Sequence, residues 1–215
     1  MNSLDFETPS LDMRQFEKDA HGRGFLWVSG IDEAGRGPLA GPVVAAAVVF
    51  RRGVEPPPAR DSKALSAQQR ESLMALIFGR AAAVGIGCVE APVIDSLNIL
   101  RATFLAMELA VRHLHPTPDL LLIDGPYRLP LATPQIGIPG GDRKSVSIAA
   151  ASIVAKVHRD RLMDRYHDLY PAYGFDRNRG YPTAIHREAL RRFGPCPIHR
   201  RTFAGVKNAC SKAKI

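Results

Sequence analysis

The sequence predicts an α/β fold: a mixed β-sheet flanked by helices, with a helical C-terminal extension. Three observations carry that expectation. Two early apolar runs, residues 25–31 and 43–50, have strand length and flank a turn rich in Gly and Pro. The run Leu120-Leu121-Leu122-Ile123 is wholly apolar, as expected of a strand buried on both faces in a parallel sheet. Helix and strand patterns alternate before the chain passes into a tail rich in Gly, Pro and Arg, an order that fits a mixed sheet followed by a helical part.

Taken in order, residues 1–22 read as a loose or partly helical extension. The strand over 25–31 runs into Asp32-Glu33, and Gly35-Arg36-Gly37-Pro38 makes the turn to the second strand, so the two form a hairpin. Pro56-Pro57-Pro58 is a loop. Ser66-Ala67-Gln68-Gln69 has the S-x-x-Q form of a capping box and starts a helix that stops at Gly79. Residues 81–90 form a third strand, weakened by Gly85 and Gly87. Asp95-Ser96 caps a helix over 97–114, ended by Pro116 and Pro118. Residues 136–138 are a weak strand. A long amphipathic helix over 147–169 carries Lys156, Arg159, Arg161 and Arg165, residues that commonly mark a solvated face and that the net charge of +8 tilts towards contact with a duplex backbone, and a further helix covers 184–193. The expected division is an extension over 1–22, a core over 23–170 and a C-terminal helical and loop extension over 171–215 that packs on the core and contributes to substrate binding.

The 215 residues, 46% of them hydrophobic, suffice for one self-supporting domain. Cys88, Cys196 and Cys210 are few and scattered, which argues against a disulfide framework or a four-cysteine zinc site and for a reducing compartment. Cys196-Pro197-Ile198-His199 has the form of half a zinc site, with no second half nearby. His158 and His186 read as surface or helix-end residues. No run approaches a membrane span and residues 1–20 contain no apolar signal core, so a soluble, cytoplasmic protein is expected, with no membrane partner. The net charge of +8 points towards nucleic acid, the plainer reading being a soluble basic protein.

In so basic a chain, acidic residues at strand ends call for a reason. Asp32 and Glu33 follow the first strand, Asp124 ends the apolar strand, and Asp142 follows Gly140-Gly141 just before the long helix. Sites in open α/β sheets gather at such ends. Two carboxylates about 4 Å apart repel by about 4 kcal/mol at an effective dielectric of 20. A divalent cation relieves this, and all-oxygen ligands favour Mg²⁺ or Mn²⁺. Two such ions can align a water and a leaving oxygen on a phosphate. The adjacency of Asp32 and Glu33 is a difficulty, because neighbouring strand residues point to opposite faces. Either the glycines at 30 and 35 let the strand bend, or Glu33 reaches round or offers its carbonyl.

The stretch Gly30-Ile31-Asp32-Glu33-Ala34-Gly35-Arg36-Gly37-Pro38-Leu39-Ala40-Gly41-Pro42 resembles the opening motif of ribonuclease HII. The resemblance continues in order through Asp61-Ser62-Lys63-Ala64-Leu65-Ser66, Leu122-Ile123-Asp124-Gly125, residues 147–160, Tyr173-Gly174-Phe175, Gly180-Tyr181-Pro182-Thr183 and His199-Arg200-Arg201-Thr202-Phe203. It spans roughly 30–206. Asn178-Arg179 and Gly140 depart from the pattern, which has His-Lys and often a lysine there. The resemblance implies an RNase H-like fold and an endonuclease that cuts 5′ to a ribonucleotide, in RNA/DNA hybrids and at single ribonucleotides embedded in DNA duplexes. It implies 3′-hydroxyl and 5′-phosphate products, and a role in removing ribonucleotides from DNA. Asp32, Glu33, Asp124 and Asp142 would be the catalytic, metal-binding carboxylates, with two Mg²⁺ or Mn²⁺ ions. Gly35-Arg36-Gly37 would surround the 2′-hydroxyl and Tyr181 would sense the sugar beside the cut.

Physical chemistry is consistent with those implied roles. Reading a 2′-hydroxyl needs close backbone approach, which glycines at 35 and 37 permit. Arg36 can grip a phosphate, and Lys63 can contact another. The tyrosine ring can pack on a sugar while its hydroxyl bonds the neighbouring oxygen. The expected partners are RNA/DNA hybrid and ribonucleotide-containing duplex, bound by a monomer. Two alternatives stand beside this reading: another RNase H-like nuclease of the junction-resolvase type, and a non-catalytic duplex-binding module.

Overall fold

The structure, a computed structural model, describes residues 12–57 and 65–207. Five strands form one mixed sheet in the order β3-β2-β1-β4-β5. The strands β1 (Val28–Ala34), β2 (Val43–Phe50) and β3 (Ala81–Val89) pair antiparallel, whereas β4 (Leu120–Asp124) runs parallel to β1 and to β5 (Gln135–Ile138). Every residue of β2 is buried. Its alternation splits the core in two. Val43, Ala45, Ala47 and Val49 pack with helix α4 (Ile99–Arg112), while Val44, Ala46, Val48 and Phe50 pack with α2 (Ala67–Arg80) and α5 (Val146–Leu169).

Glycines set how closely the helices approach. A Cβ on Gly30 of β1 would lie 2.1 Å from the Ser147 backbone carbon of α5. Cβ atoms on Gly85 and Gly87 would lie 2.0 Å from the carbonyl oxygens of Ala110 and Ala106 in α4. The β3 glycines are therefore seats for a helix rather than weak points in a strand.

Several boundaries differ from expectation for physical reasons. The first strand starts later, because the Asp119 carboxylate accepts the N–H groups of Leu26 and Trp27 at 2.7 and 2.9 Å. It also runs on through Asp32, Glu33 and Ala34, which stay in register with Ala46, Ala45 and Val44. The expected helix over 97–114 is two helices, α3 (Ala91–Leu97) and α4. Asn98, at φ 71°, breaks between them, and its side chain caps α4 by accepting from Leu100 and Arg101 N–H. Asp95 instead accepts from the backbone of Arg201 and Thr202. The capping box of α2 forms as read, with Ser66 and Gln69 bonded reciprocally at 2.8 and 3.2 Å.

Helix α5 is not a one-sided amphipathic helix. Its residues from Val146 to Ala155 are buried, and Arg159 is buried with them at 1% exposure, against the expectation of a solvated face or a contact with a duplex backbone. An N-terminal helix, α1 (Gln15–Gly22), docks on the start of α5 through Glu17, which accepts from the hydroxyls of Ser145 and Ser147. After α5 come a short 3₁₀ turn (Pro171–Tyr173), α6 (Phe175–Asn178) and α7 (Ala184–Phe193). They close a third cluster that includes Leu39, Ala40, Met163, Tyr173, Phe175 and Leu190. Among the described residues no helix is long and apolar enough to cross a membrane.

Candidate active site

Parallel pairing of β1 with β4 sets Ile31 beside Ile123, so the next residues, Asp32 and Asp124, leave the sheet side by side. Asp32 is only 6% exposed and its Oδ1 accepts the Glu33 N–H at 2.7 Å. The Ser152 hydroxyl of α5 donates to the same carboxylate. Burial pushes Asp32 well above the usual carboxylate range, and the charges of Glu33 and Asp124 push it further. Burial also raises Glu33, as does Asp124, while Arg36 opposes the shift. Asp124 Oδ1 accepts the Gly141 N–H at 2.6 Å. That bond anchors the 3₁₀ turn Gly141–Arg143, which carries the buried Asp142. The structure thus brings Asp32, Glu33 and Asp124 into mutual electrostatic reach and seats Asp142 one residue from Asp124's partner.

The question of opposite facings resolves without a bend in the strand. Asp32 turns towards Ser152 on α5. Glu33 takes the other side, where Arg36 Nη1 donates to its Oε1 at 3.2 Å and lies 3.5 Å from the Tyr127 hydroxyl. The Arg36 guanidinium also lies 5.6 Å from the Tyr127 ring centre, and Phe104 backs that ring edge-on. Both carboxylates reach Asp124 from their own sides of the strand.

Among the described residues no three His, Cys, Asp or Glu side chains form a ready-made metal cluster. Each carboxylate near Asp124 engages a local partner instead. The donor set nevertheless fits a hard divalent cation. It is all oxygen, the charges of Glu33 and Asp124 raise Asp32 and that of Asp124 raises Glu33, and Glu33 Oε2 is buried with no hydrogen-bond partner.

The connection over 35–42 is an eight-residue loop rather than a tight turn. Gly35 has φ 96°, and a Cβ there would lie 2.1 Å from Arg159 Nε. A Cβ on Gly37 would lie 3.7 Å from the Tyr181 ring, so these two residues line one spot. Tyr181 is 44% exposed. Asn178 and Arg179, the residues that depart from the family pattern, build the turn before it. The Asn178 side chain donates to the Tyr173 carbonyl and accepts from Gly180 N–H, and Arg179 sits at φ 51°. Gly140, the other departure, takes φ 65° ahead of Asp142. Lys63, with Asp61 and Ser62, lies outside the described residues.

Sequence reading missed Tyr127, Ser152 and the two buried arginines. Arg159 Nε donates to Pro42 O at 3.0 Å, Nη2 to Ala40 O at 3.2 Å and Nη1 to Arg179 O at 3.0 Å. Arg200 Nε donates to Gly41 O at 3.0 Å, Nη1 to Arg36 O and Pro38 O at 2.9 and 2.8 Å, and Nη2 to Gly35 O at 2.5 Å. Burial, and then the Arg159 charge, lower the Arg200 guanidinium from its ordinary value. The one available signal was position, since Arg200 sits in a motif and Tyr127 sits three residues after Asp124.

His186 stands in the first turn of α7, a helix-end residue as expected, but it is buried rather than at the surface. Its Nδ1 donates to Tyr181 O at 2.9 Å, leaving Nε2 to accept from His199 Nε2 at 3.0 Å, while His199 Nδ1 accepts the Cys196 N–H at 3.0 Å. The pair read as half a zinc site is therefore bonded within this cluster. Burial pushes the Cys196 thiol up to about 11.

A mixed sheet with helices on both faces and carboxylates gathered where β1 and β4 end defines an RNase H-like nuclease. Residues 29–206 match the profile of the Ribonuclease HII family, and the chain belongs to that family. Ribonuclease HII of Syntrophobacter fumaroxidans is 63% identical over 201 residues, covering 94% of this chain and 86% of that protein. The crystal structure of the ribonuclease H2 from Pyrococcus horikoshii OT3 superposes with a TM-score of 0.74 at 26% identity, covering 88% of this chain and all of that one. Bst-RNase HIII in complex with Mn²⁺ shares the fold, with a TM-score of 0.68 at 22% identity over 100% of this chain and 77% of that one. The protein is thus an RNase H endonuclease.

Proposed function

We propose that this endonuclease hydrolyses the phosphodiester 5′ to a ribonucleotide, both in RNA/DNA hybrids and at single ribonucleotides embedded in DNA, leaving 3′-hydroxyl and 5′-phosphate ends. One observation carries the reading. Asp32, Glu33 and Asp124 meet directly beside a glycine loop whose Gly37 stands against the exposed ring of Tyr181. A phosphate-cutting centre thus adjoins a surface suited to a sugar. The Mn²⁺ held by Bst-RNase HIII and the oxygen-only donor set support Asp32, Glu33, Asp124 and Asp142 as ligands of two Mg²⁺ or Mn²⁺ ions. When bound, such ions supply Lewis-acid stabilisation of phosphate charge and a nucleophilic water at neutral pH.

The chain's own residues orient the substrate. Backbone groups of Gly35 to Gly37 approach the 2′-hydroxyl closely, because no side chain intervenes at either glycine. The Arg36 guanidinium, held between Glu33 and Tyr127, grips a phosphate, and Lys63 a second. Tyr181 packs on the adjacent sugar and favours deoxyribose there. Residues from Pro171 onwards contribute by carrying Tyr181 to the loop. The protein acts as a monomer in the cytoplasm, clearing ribonucleotides from DNA.

The test is cleavage of a duplex with one embedded ribonucleotide, with and without divalent metal. A single metal-dependent cut 5′ to the ribonucleotide is expected. Cutting of all-DNA junctions with no cut at the ribonucleotide would favour a resolvase-type nuclease and sink the proposal.

A further inference from the structure

The two guanidinium groups beneath the glycine loop make no carboxylate contact within salt-bridge distance among the described residues, and are nearly or wholly buried. Such a charge is costly to bury unless its donors are satisfied. Here the guanidinium hydrogen bonds go to backbone carbonyls, and all but one of those carbonyls belong to residues 35–42. The arrangement fixes peptide planes. In a planar trans peptide the C=O of one residue and the N–H of the next point in opposite directions. Arg200 draws the carbonyls of Gly35, Arg36 and Pro38 inward, so the N–H groups of Arg36, Gly37 and Leu39 face away from it. The Leu39 N–H indeed finds its acceptor on the far side, at Gly180 O, 2.8 Å away. The other two N–H groups belong to the stretch that meets Tyr181.

We propose that Arg200 is a positioning residue for ribose recognition: by pulling the Gly35 and Arg36 carbonyls into the protein, it turns the Arg36 and Gly37 N–H groups outward as donors to the 2′-hydroxyl. This rests on the sugar-reading role proposed for the loop. Arg159 braces the other end, at Ala40 and Pro42, and packs against the space that a side chain at Gly35 would fill. A lysine at either position offers one compact ammonium in place of a planar fork and cannot span these carbonyls. Arg200 reaches the loop from the C-terminal segment, whose backbone is itself tied to it by Arg200 N–H to Leu39 O at 2.8 Å and Gly41 N–H to Ile198 O at 2.9 Å.

The experiment uses the full chain with Arg200→Lys, and Arg159→Lys as a second variant. Melting temperature, affinity for Mn²⁺ alone, and kcat and KM on a duplex with one embedded ribonucleotide are measured, together with affinity for the same duplex made wholly of DNA. For a displaced recognition loop, cleavage by Arg200→Lys should fall about 100-fold, while Mn²⁺ and all-DNA affinities stay within about threefold of wild type. Arg159→Lys should fall less. A folded Arg200→Lys protein that cuts about as well as wild type overturns the proposal. So does an equal loss of all-DNA binding, which would make Arg200 a prop for the whole binding face. Failure of both variants to fold also overturns it, by assigning the guanidinium groups to general stability. A parent chain that leaves the ribonucleotide uncut defeats the functional reading itself, and is told apart because the defect precedes any substitution.

Discussion

Asp32 is buried between the Glu33 N–H and Ser152, with Glu33 and Asp124 as like-charged neighbours. Its pKa in the folded chain lies above the ordinary value, first through burial and then through those charges. A carboxyl raised in this way supports folding below its unfolded pKa of about 3.9, and that support is lost as pH rises through the folded value. At neutral pH the charge therefore weakens the fold. Asp32→Asn keeps the shape and an oxygen for the Glu33 N–H but removes the charge. Without divalent ions its melting temperature should rise by about 2–4 °C, equivalent to about 1 kcal/mol in a chain of this size. Cleavage should fall about a thousandfold, the rate equivalent of about 4 kcal/mol of lost charge stabilisation. Added Mg²⁺ should raise the melting temperature of the wild type and leave that of the variant nearly unchanged. A variant less stable than wild type in the absence of metal would refute the account of Asp32 as a strained charge.

At the scale of elements, the turn that carries Tyr181 hangs on the buried pair His186 and His199. His186 on α7 bonds the Tyr181 carbonyl, and His199 bonds His186. Tyr173 and Phe175 enclose the pair with their rings, Cys196 lies on the far side, and Arg201 is the nearby cation. Burial, then His186, pulls His199 down to about 4, and burial also lowers His186. The unfolded chain protonates these rings near pH 6.5 and the folded chain does not, so their support is complete above about 6.5 and drains away as pH falls towards 4. The melting temperature should drop across that window, and His199→Gln should show a shallower drop, measurable by melting at stepped pH. An unchanged slope would remove His199 from the account. Such pairs were hard to read from the sequence, because partners thirteen residues apart lie on different elements. Features set within one element were legible: the buried run of β2, the apolar β4 and the reciprocal Ser66–Gln69 cap. Features set between distant segments were not. The start of β1 depends on Asp119, the break before α4 on a positive φ at Asn98, and the burial of Arg159 on carbonyls more than a hundred residues away. The four candidate carboxylates were named from strand ends and motif, yet the sides taken by Asp32 and Glu33 required the sheet.

At the scale of the whole molecule, the net charge of +8 coexists with an acidic centre, so the positive charge that meets a duplex must lie around that centre. Exposed Arg128 lies near Asp124 in the chain, and exposed Arg143 and Lys144 directly follow Asp142. Arg159 and Arg200 are spoken for by the loop and add field rather than contact. Each phosphate neutralised by a lysine or arginine adds about −0.9 to the slope of log affinity against log salt. Three such contacts predict that affinity for an all-DNA duplex falls about 40-fold between about 50 and 200 mM salt. Arg128→Ala should flatten the slope by about 0.9 and weaken binding regardless of sequence or sugar, because a phosphate contact carries no such information. Measuring binding to all-DNA duplex keeps the result independent of cleavage. A wild-type slope near zero would show that the net charge serves solubility alone. An unchanged slope in Arg128→Ala would move the phosphate contacts elsewhere, with Arg143 and Lys144 the next side chains to remove.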